Sequence, residues 1–573
     1  MKHMQVIALA IALVLASAGQ APDTRKGGET QDNGQTTLRT TTEMVLVPVI
    51  VTDAARKPIA GLKREDFTIY ADGKAQRISS LDEVRATHAS ADLEAAPDRF
   101  SNYIGDTRSS LRPVILVIDL LNSAATDQRK ARDQILRFLD SQLQPGQSVA
   151  LFRMGRNGLQ LLQSFTTSSA DLKAAVLTLR QGSSYEDQNK SAQTLAAESV
   201  SNLPKHRPGV IQMIQSMLLQ TDRLEGGLQK EAITTTLNAM DALAAGFKGI
   251  PGRKNLIWLT AGFPFQVTDP NAPGGTSDEF EVRYYQTWQK LSDANVALYP
   301  VDMRGVFDSR WDPAAVDFDA VHHDYGLEPQ LGSQELSISL TLQQFALQTS
   351  GNLCRNNNEL TKCLRAAAQD GENNYTLSFY VGPDVRGKGW HKLRVVVKQP
   401  GLKIRSREGF YRGNGEAPAT TEAPDRAVLA AVRSPVPVTA LPFSVQWLQQ
   451  REASAANPNA RLTKNTYGPA TAGAVFKISF PPHAFAVDSV DADRVELDIA
   501  AVAIDATGKP AGDFAQKITM HPKPGLLGKI TTGSLSYTDA IALSAGSFQV
   551  RFVVRDAVSG KIGSVDAPIR VGP

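Results

Sequence analysis

Val114-Ile115-Leu116-Val117-Ile118-Asp119-Leu120-Leu121-Asn122-Ser123 sets five apolar residues directly against a carboxylate, with small polar groups inside the next four positions. A Val/Ile/Leu run without alternation is what a strand looks like when helices cover both faces of its sheet. Ligands of open α/β sheets bind outside the carboxyl ends of the strands, so Asp119 is expected at a rim where function concentrates.

Outward from this strand the pattern alternates between helix and strand. Residues 126–143 carry Ile135, Leu136, Phe138 and Leu139 at helical spacing, and Pro145-Gly146 stops them. Residues 149–152 read as the next strand, Asn157-Gly158 as a turn and residues 159–162 as a returning edge strand. Ser168 with Asp171 resembles a capping box opening a helix through Leu179. A long helical stretch follows over about residues 226–247. The strand 256–259 ends at Thr260-Ala261-Gly262, a helix spans about 280–294, the strand 296–301 ends at Asp302, and 338–349 gives one more helix. This order predicts an α/β domain over 112–372 built on a doubly wound, mostly parallel, Rossmann-like sheet.

The flanks have period two. Residues 43–85 form an N-terminal β segment, and a polar stretch over 87–110 links it to the Asp119 strand. Residues 373–412 hold three more strands. Neither flank has enough strands to bury a core alone. They are therefore expected to pair with each other, with the α/β domain inserted between them; the alternative is that each packs separately on the α/β core. A Pro/Ala/Thr/Glu-rich linker is expected over 413–435, then a β-sandwich-like domain over 436–573 with clean alternation in Phe548-Gln549-Val550-Arg551-Phe552.

The 573 residues exceed what one core organises, and the formal net charge of +3 gives no field for nucleic acid. Lys2 and His3 precede an apolar stretch over 6–15 that ends in Ala16-Ser17-Ala18, so residues 1–18 read as a signal peptide and 19–42 as a disordered leader. That apolar core falls short of the roughly 20 residues a spanning helix needs. No second long apolar run follows, so a secreted or periplasmic protein without an integral membrane segment is expected. The two cysteines, Cys354 and Cys363, lie nine positions apart and fit a disulfide, with two buried free thiols as the alternative.

The strand ending in Asp, the helix after it, the edge hairpin and the strand ending in Thr-x-Gly together resemble a von Willebrand factor A-type (VWA) domain. Five blocks look like those of the bacterial VWFA-related subfamily: Val49-Ile50-Val51-Thr52-Asp53, residues 61–67, Pro251-Gly252-Arg253-Lys254-Asn255-Leu256-Ile257-Trp258, Tyr299-Pro300-Val301-Asp302 and Arg407-Glu408-Gly409-Phe410-Tyr411. The resemblance covers about residues 43–412. It implies a cation at the rim held by Asp-x-Ser-x-Ser, a Thr and a later Asp, all hard oxygen ligands. Asp119 and Ser123 match that pattern, Leu121 and Ala261 replace a Ser and the last Asp, and no Thr before Thr234 aligns. The metal motif is thus degenerate; no cofactor is expected, and a divalent cation is left open.

Two other readings of Asp119 stand beside this one. Its carboxylate is hydrogen-bonded to backbone at a helix N-terminus, through Asn122 and Ser123; or Asp119, Asn122, Ser123, Arg153, Thr260, Asp302 and Arg304 line one polar rim in which Arg304 offsets a carboxylate. Asp317, Asp319, His322, His323 and Asp324 read as a solvated loop, with a metal site as the alternative. No nucleophile elbow, zinc-protease helix, phosphate loop or dinucleotide fingerprint is present, so no catalytic residue is assigned. The expected function is an exported, non-enzymatic VWA-type protein that binds another protein or a cell-envelope component through its rim. The rival is a secreted hydrolase using Asp302 or the His322/His323 loop.

Overall fold

The computed structural model describes residues 44–55, 57–84, 99–102, 113–144, 147–182, 184, 187–188, 191, 194, 208–250, 252–263, 280–306, 334–370, 373–382, 384–412, 424–448, 472–484, 486, 494–521 and 535–572. The expected signal peptide and leader, and the His322/His323 loop with its aspartates, lie outside the described residues. In chain order the elements are β1 (Met44–Thr52), β2 (Phe67–Ala71), β3 (Lys74–Gln76), β4 (Ile78–Val84), β5 (Arg99–Ser101), β6 (Val114–Asp119), α1 (Ala125–Ser141), β7 (Val149–Gly155), β8 (Gly158–Thr166), α2 (Ser169–Leu177), α3 (Pro208–Phe247), β9 (Lys254–Thr260), α4 (Glu281–Asp293), β10 (Val296–Asp302), α5 (Gln334–Gln348) and α6 (Leu360–Gln369). They continue with β11 (Asn374–Tyr380), β12 (Gly389–Val397), β13 (Lys403–Ser406), β14 (Gly409–Arg412), α7 (Pro424–Arg433), β15 (Ser444–Trp447), β16 (Ala472–Phe480), β17 (Val495–Asp505), β18 (Pro510–Met520), β19 (Leu535–Leu543), β20 (Gly546–Asp556) and β21 (Ile562–Val571).

The expected fold class is corrected. The chain is an α/β architecture of several sheets, and those sheets are mostly antiparallel. Among the described residues four four-stranded sheets, ordered β13-β1-β11-β4, β14-β12-β2-β3, β19-β16-β15-β5 and β18-β17-β20-β21, are antiparallel throughout. Among the described residues parallel ladders run only through β10-β9-β6-β7 of a single five-stranded sheet, which β8 closes antiparallel, with one isolated parallel bridge between Val301 and Cys354. The physical reason is that hairpins, such as β17 beside β18, build most of the sheet area, whereas among the described residues strands buried along their whole length, as β6, β9 and β10 are, occur in the one sheet.

In that sheet the strand period of two sends alternate residues to opposite faces. Val117, Phe152, Trp258 and Leu298 face α3, α4 and α5, while Leu116, Leu151, Ile257 and Tyr299 face α1, α2 and α6. The parallel strands all end on one side, so their carboxyl ends form a single rim.

The flanking strands meet. β1 runs antiparallel to β11, with Val45 opposite Phe379 and Val49 opposite Tyr375, and to β13 on its other side. Val47, Phe67, Leu377, Val395 and Phe410 from the two flanking sheets share one core. This layer joins the α/β region through aromatic rings: Trp390 on β12 lies 5.1 Å from Tyr285 and 5.9 Å from Trp288 of α4. Gly409 makes room for it, since a Cβ there would stand 2.2 Å from the Trp390 ring.

Two segments differ from expectation. The stretch expected as a linker over 413–435 contains α7, because Val428 and Ala431 form a helical stripe buried against Ala500 and Val553. The polar stretch expected to link the first strands to β6 contains β5, which adds to β15 at the edge of a C-terminal sheet. Asn102 fastens it, donating to Val438 O (2.9 Å) and Leu441 O (3.0 Å) and accepting from Phe443 N–H (2.9 Å).

Candidate functional site

The rim is built from the register of β7, β6, β9 and β10: Asp119 is opposite Met154, and Thr260 is opposite Asp302. Asp119 shares the face of Val117, and Thr260 shares that of Trp258, so both side chains turn toward α3. Asp119 is fully buried. Its Oδ1 accepts the backbone N–H groups of Leu121 (3.0 Å) and Asn122 (2.9 Å). Its Oδ2 accepts from Asn122 Nδ2 (2.9 Å) and Trp258 Nε1 (3.1 Å) and lies 2.8 Å from the Thr260 hydroxyl. Asn122 Nδ2 also donates to Thr236 Oγ1 of α3 at 3.0 Å. Burial pushes the Asp119 carboxyl up to about 6, against the lowering pull of the Asn122, Thr260 and Trp258 hydrogen bonds.

Ser123 Oγ accepts the Ala261 N–H at 2.9 Å, tying the loop after β6 to the loop after β9. Gln128, buried near the start of α1, ties in a third segment: its amide nitrogen reaches Leu120 O, Ser123 O and Gly182 O, and its Oε1 accepts the Gly182 N–H. These bonds fix the rim loops in place. They also take up the oxygen atoms that the resemblance assigns to a cation, for Asp119 meets five donor groups and Ser123 is turned to a backbone amide. Among the described residues no group of three or more His, Cys, Asp or Glu side chains is placed to hold a metal ion.

Asp302 makes a separate unit. Its Oδ1 accepts the backbone N–H and Nε of Arg304 (3.0 and 2.9 Å), and its Oδ2 accepts Nη2 at 2.7 Å, a bidentate pair across two residues. Arg304 thus offsets Asp302 and not Asp119. The Cys354–Cys363 disulfide is formed, and it anchors the chain beside this strand end, where Asp302 N–H donates to Cys354 O. Arg153 stands one residue before Met154 in the register, with its Nε donating to Gln160 Oε1 at 2.8 Å.

The structure therefore brings Asp119, Asn122, Ser123 and Thr260 into one hydrogen-bonded cluster and places Asp302 with Arg304, and Arg153 with Gln160, beside it. Thr236, Trp258 and Gln128 belong to the cluster but escape sequence reasoning. A signal for two of them exists: Trp258 has the same parity as Thr260 along β9, and Thr236 lies three positions after Ile233 and four before Met240, both inward-facing. The block at residues 253–255 is at the opposite end of the sheet. There Arg253 donates to Tyr299 Oη and Ser350 O, Lys254 to Ile250 O and Gly252 O, and Asn255 to Ala367 O and Asp370 O. Burial lowers the Lys254 ammonium to about 7.

No family model and no curated protein matches the chain. Among solved structures it is similar to the VWA domain of SpRpn10, at 12% identity and a TM-score of 0.20 over 44% of this chain and 94% of that one. The TFIIH p34 N-terminal domain gives 14% and 0.19 over 45% and 97%. The pilus adhesin SpaC of Lactobacillus rhamnosus GG gives 9% and 0.25 over 88% and 58%. The likeness to VWA and VWA-like chains is a weak resemblance of low identity that assigns neither a subfamily nor an activity. Among the described residues no helix is long and apolar enough to cross a membrane.

Proposed function

We propose that the chain is an exported, non-enzymatic protein of the bacterial VWFA-related kind, which binds another protein or a cell-envelope component through the rim where β6, β9 and β10 end. The observation that carries this reading is the state of the two rim carboxylates. Asp119 and Asp302 are each consumed by internal donors, which favours a surface of fixed shape over a free general base. The ordered sequence blocks with their degenerate metal motif support the family side of the reading. Residues 1–18 support export, as does the Cys354–Cys363 bond, since disulfides persist in oxidising compartments.

Site-specific photocrosslinking in envelope extracts of the host tests it. Photoreactive side chains at Asn157 and Val306, which flank the rim, are expected to give one saturable adduct that excess unlabelled protein competes away, and a probe at the exposed Lys509 in the β17–β18 turn none. The same chain carrying a C-terminal tag is expected outside the cytoplasm. Equal adducts at all three positions, or turnover of a hydrolase substrate panel by the purified protein, would overturn the reading.

A further inference from the structure

Beside the Asp119 loop, the turn of the β7–β8 hairpin and the segment after α2 enclose a cleft of about 210 Å³. Arg153, Arg156 and Arg180 line it together with Leu120 and the amide side chains of Gln160 and Gln181. Among the described residues no carboxylate is part of the lining and none of the three arginines is ion-paired. Three guanidiniums gathered in a concave wall repel one another and focus a positive field into it, an arrangement that an anion relieves.

The walls are held before any ligand arrives. Gln160 anchors the Arg153 guanidinium. Gln128 pins Gly182 by both its N–H and its C=O, and a Cβ on Gly182 would stand 3.3 Å from Leu120 Cβ, so this wall is packed directly on the Asp119 loop.

We infer that this cleft binds an oxyanion, and that the occupant is a carboxylate borne by an acidic peptide segment of the partner. The inference rests on the rim reading for the partner but not for the anion. Guanidinium forks meet carboxylates with two parallel hydrogen bonds. A space of this size holds one such group and falls short of the roughly 300 Å³ at which cofactor pockets begin. Leu120 and the two amides suit the methylene stem and peptide groups that accompany a protein-borne carboxylate, whereas inorganic phosphate leaves them unused.

The test uses the full chain, a labelled Asp/Glu-rich octapeptide, its Asn/Gln analogue and inorganic phosphate, with fluorescence anisotropy as the readout. The acidic peptide is expected to bind in preference to its analogue and to weaken as salt rises. R153Q/R180Q is expected to lose about tenfold or more in affinity, and R137Q/R365Q, an equal charge loss at exposed positions of α1 and α6, to stay within about twofold. Equal loss in R137Q/R365Q, or no anion binding by the wild-type chain, would overturn the proposal. Phosphate binding that is lost in R153Q/R180Q, with no preference for the acidic peptide, would overturn the protein-borne occupant while keeping the anion site. Anion binding retained alongside a failed rim crosslink would count against the rim reading alone.

Discussion

Thr260 Oγ1 has one proton and two acceptors within reach, Asp119 Oδ2 at 2.8 Å and Gly262 O at 2.7 Å. While Asp119 is ionised, the hydroxyl is drawn to the carboxylate. Once Asp119 is protonated, its own hydroxyl donates to Thr260, and Thr260 is released to Gly262 O, so the cluster accepts a proton without losing a bond. With the carboxyl raised from 3.8 to about 6, the folded state binds the proton more tightly than the unfolded one. This contribution to stability is fully present below about pH 3.8 and lost as pH rises through about 6; across the window it amounts to ~3 kcal/mol. Asp119→Asn cannot titrate. Hydrogen exchange of the β6 and β9 peptides at pH 4.5 and 7.5 should therefore show the wild-type chain gaining local stability at the lower pH relative to Asp119→Asn. Parallel pH responses in the two proteins would refute the account.

At the scale of elements, β5 is three residues long, yet it completes a sheet whose other strands follow more than three hundred positions later. Its hold depends on Asn102 as much as on the ladder. Asn102→Ala strips partners from two carbonyls and one N–H of the 438–443 segment, at a cost of about 2 kcal/mol. Exchange protection of peptides in β15 should fall accordingly, with the β6 peptides unchanged; intact protection in β15 would show that the strand contributes nothing. The same elements mark what the sequence made legible. β6 could be read because burial on both faces demands an unbroken apolar run, and β2 and β12 because they alternate. Arg99-Phe100-Ser101 has too few residues to display a period, and α7 is masked by a Pro/Ala/Asp composition that also suits a linker. At the rim, Asp119, Asn122 and Ser123 were legible from their place at a strand end. Thr236 and Trp258 were not, since Trp258 sits inside an apolar run that reads as core and Thr236 joins the cluster only through Asn122.

On the scale of the whole molecule, the pairing of β1 with β11 and β13 decides how the chain carries tension. Residues 85–373 leave one edge of the flanking layer at β4 and return at β11, and β4 and β11 are themselves paired. A pull on the two ends of the chain enters through β1 and crosses hydrogen bonds to β11 and β13 on its way out through β14. The α/β region lies between β4 and β11, bridged by those ladders, and the stretch is tied a second time where β5 pairs with β15. In single-molecule extension, the contour of about 100 nm contained in residues 85–373, at roughly 3.5 Å per residue, should appear only after both the flanking layer and the β5–β15 ladder have parted. Its release as the first event would contradict that load path. Under the proposed role, this wiring would keep a binding rim in its native shape while the layer beneath it takes the strain.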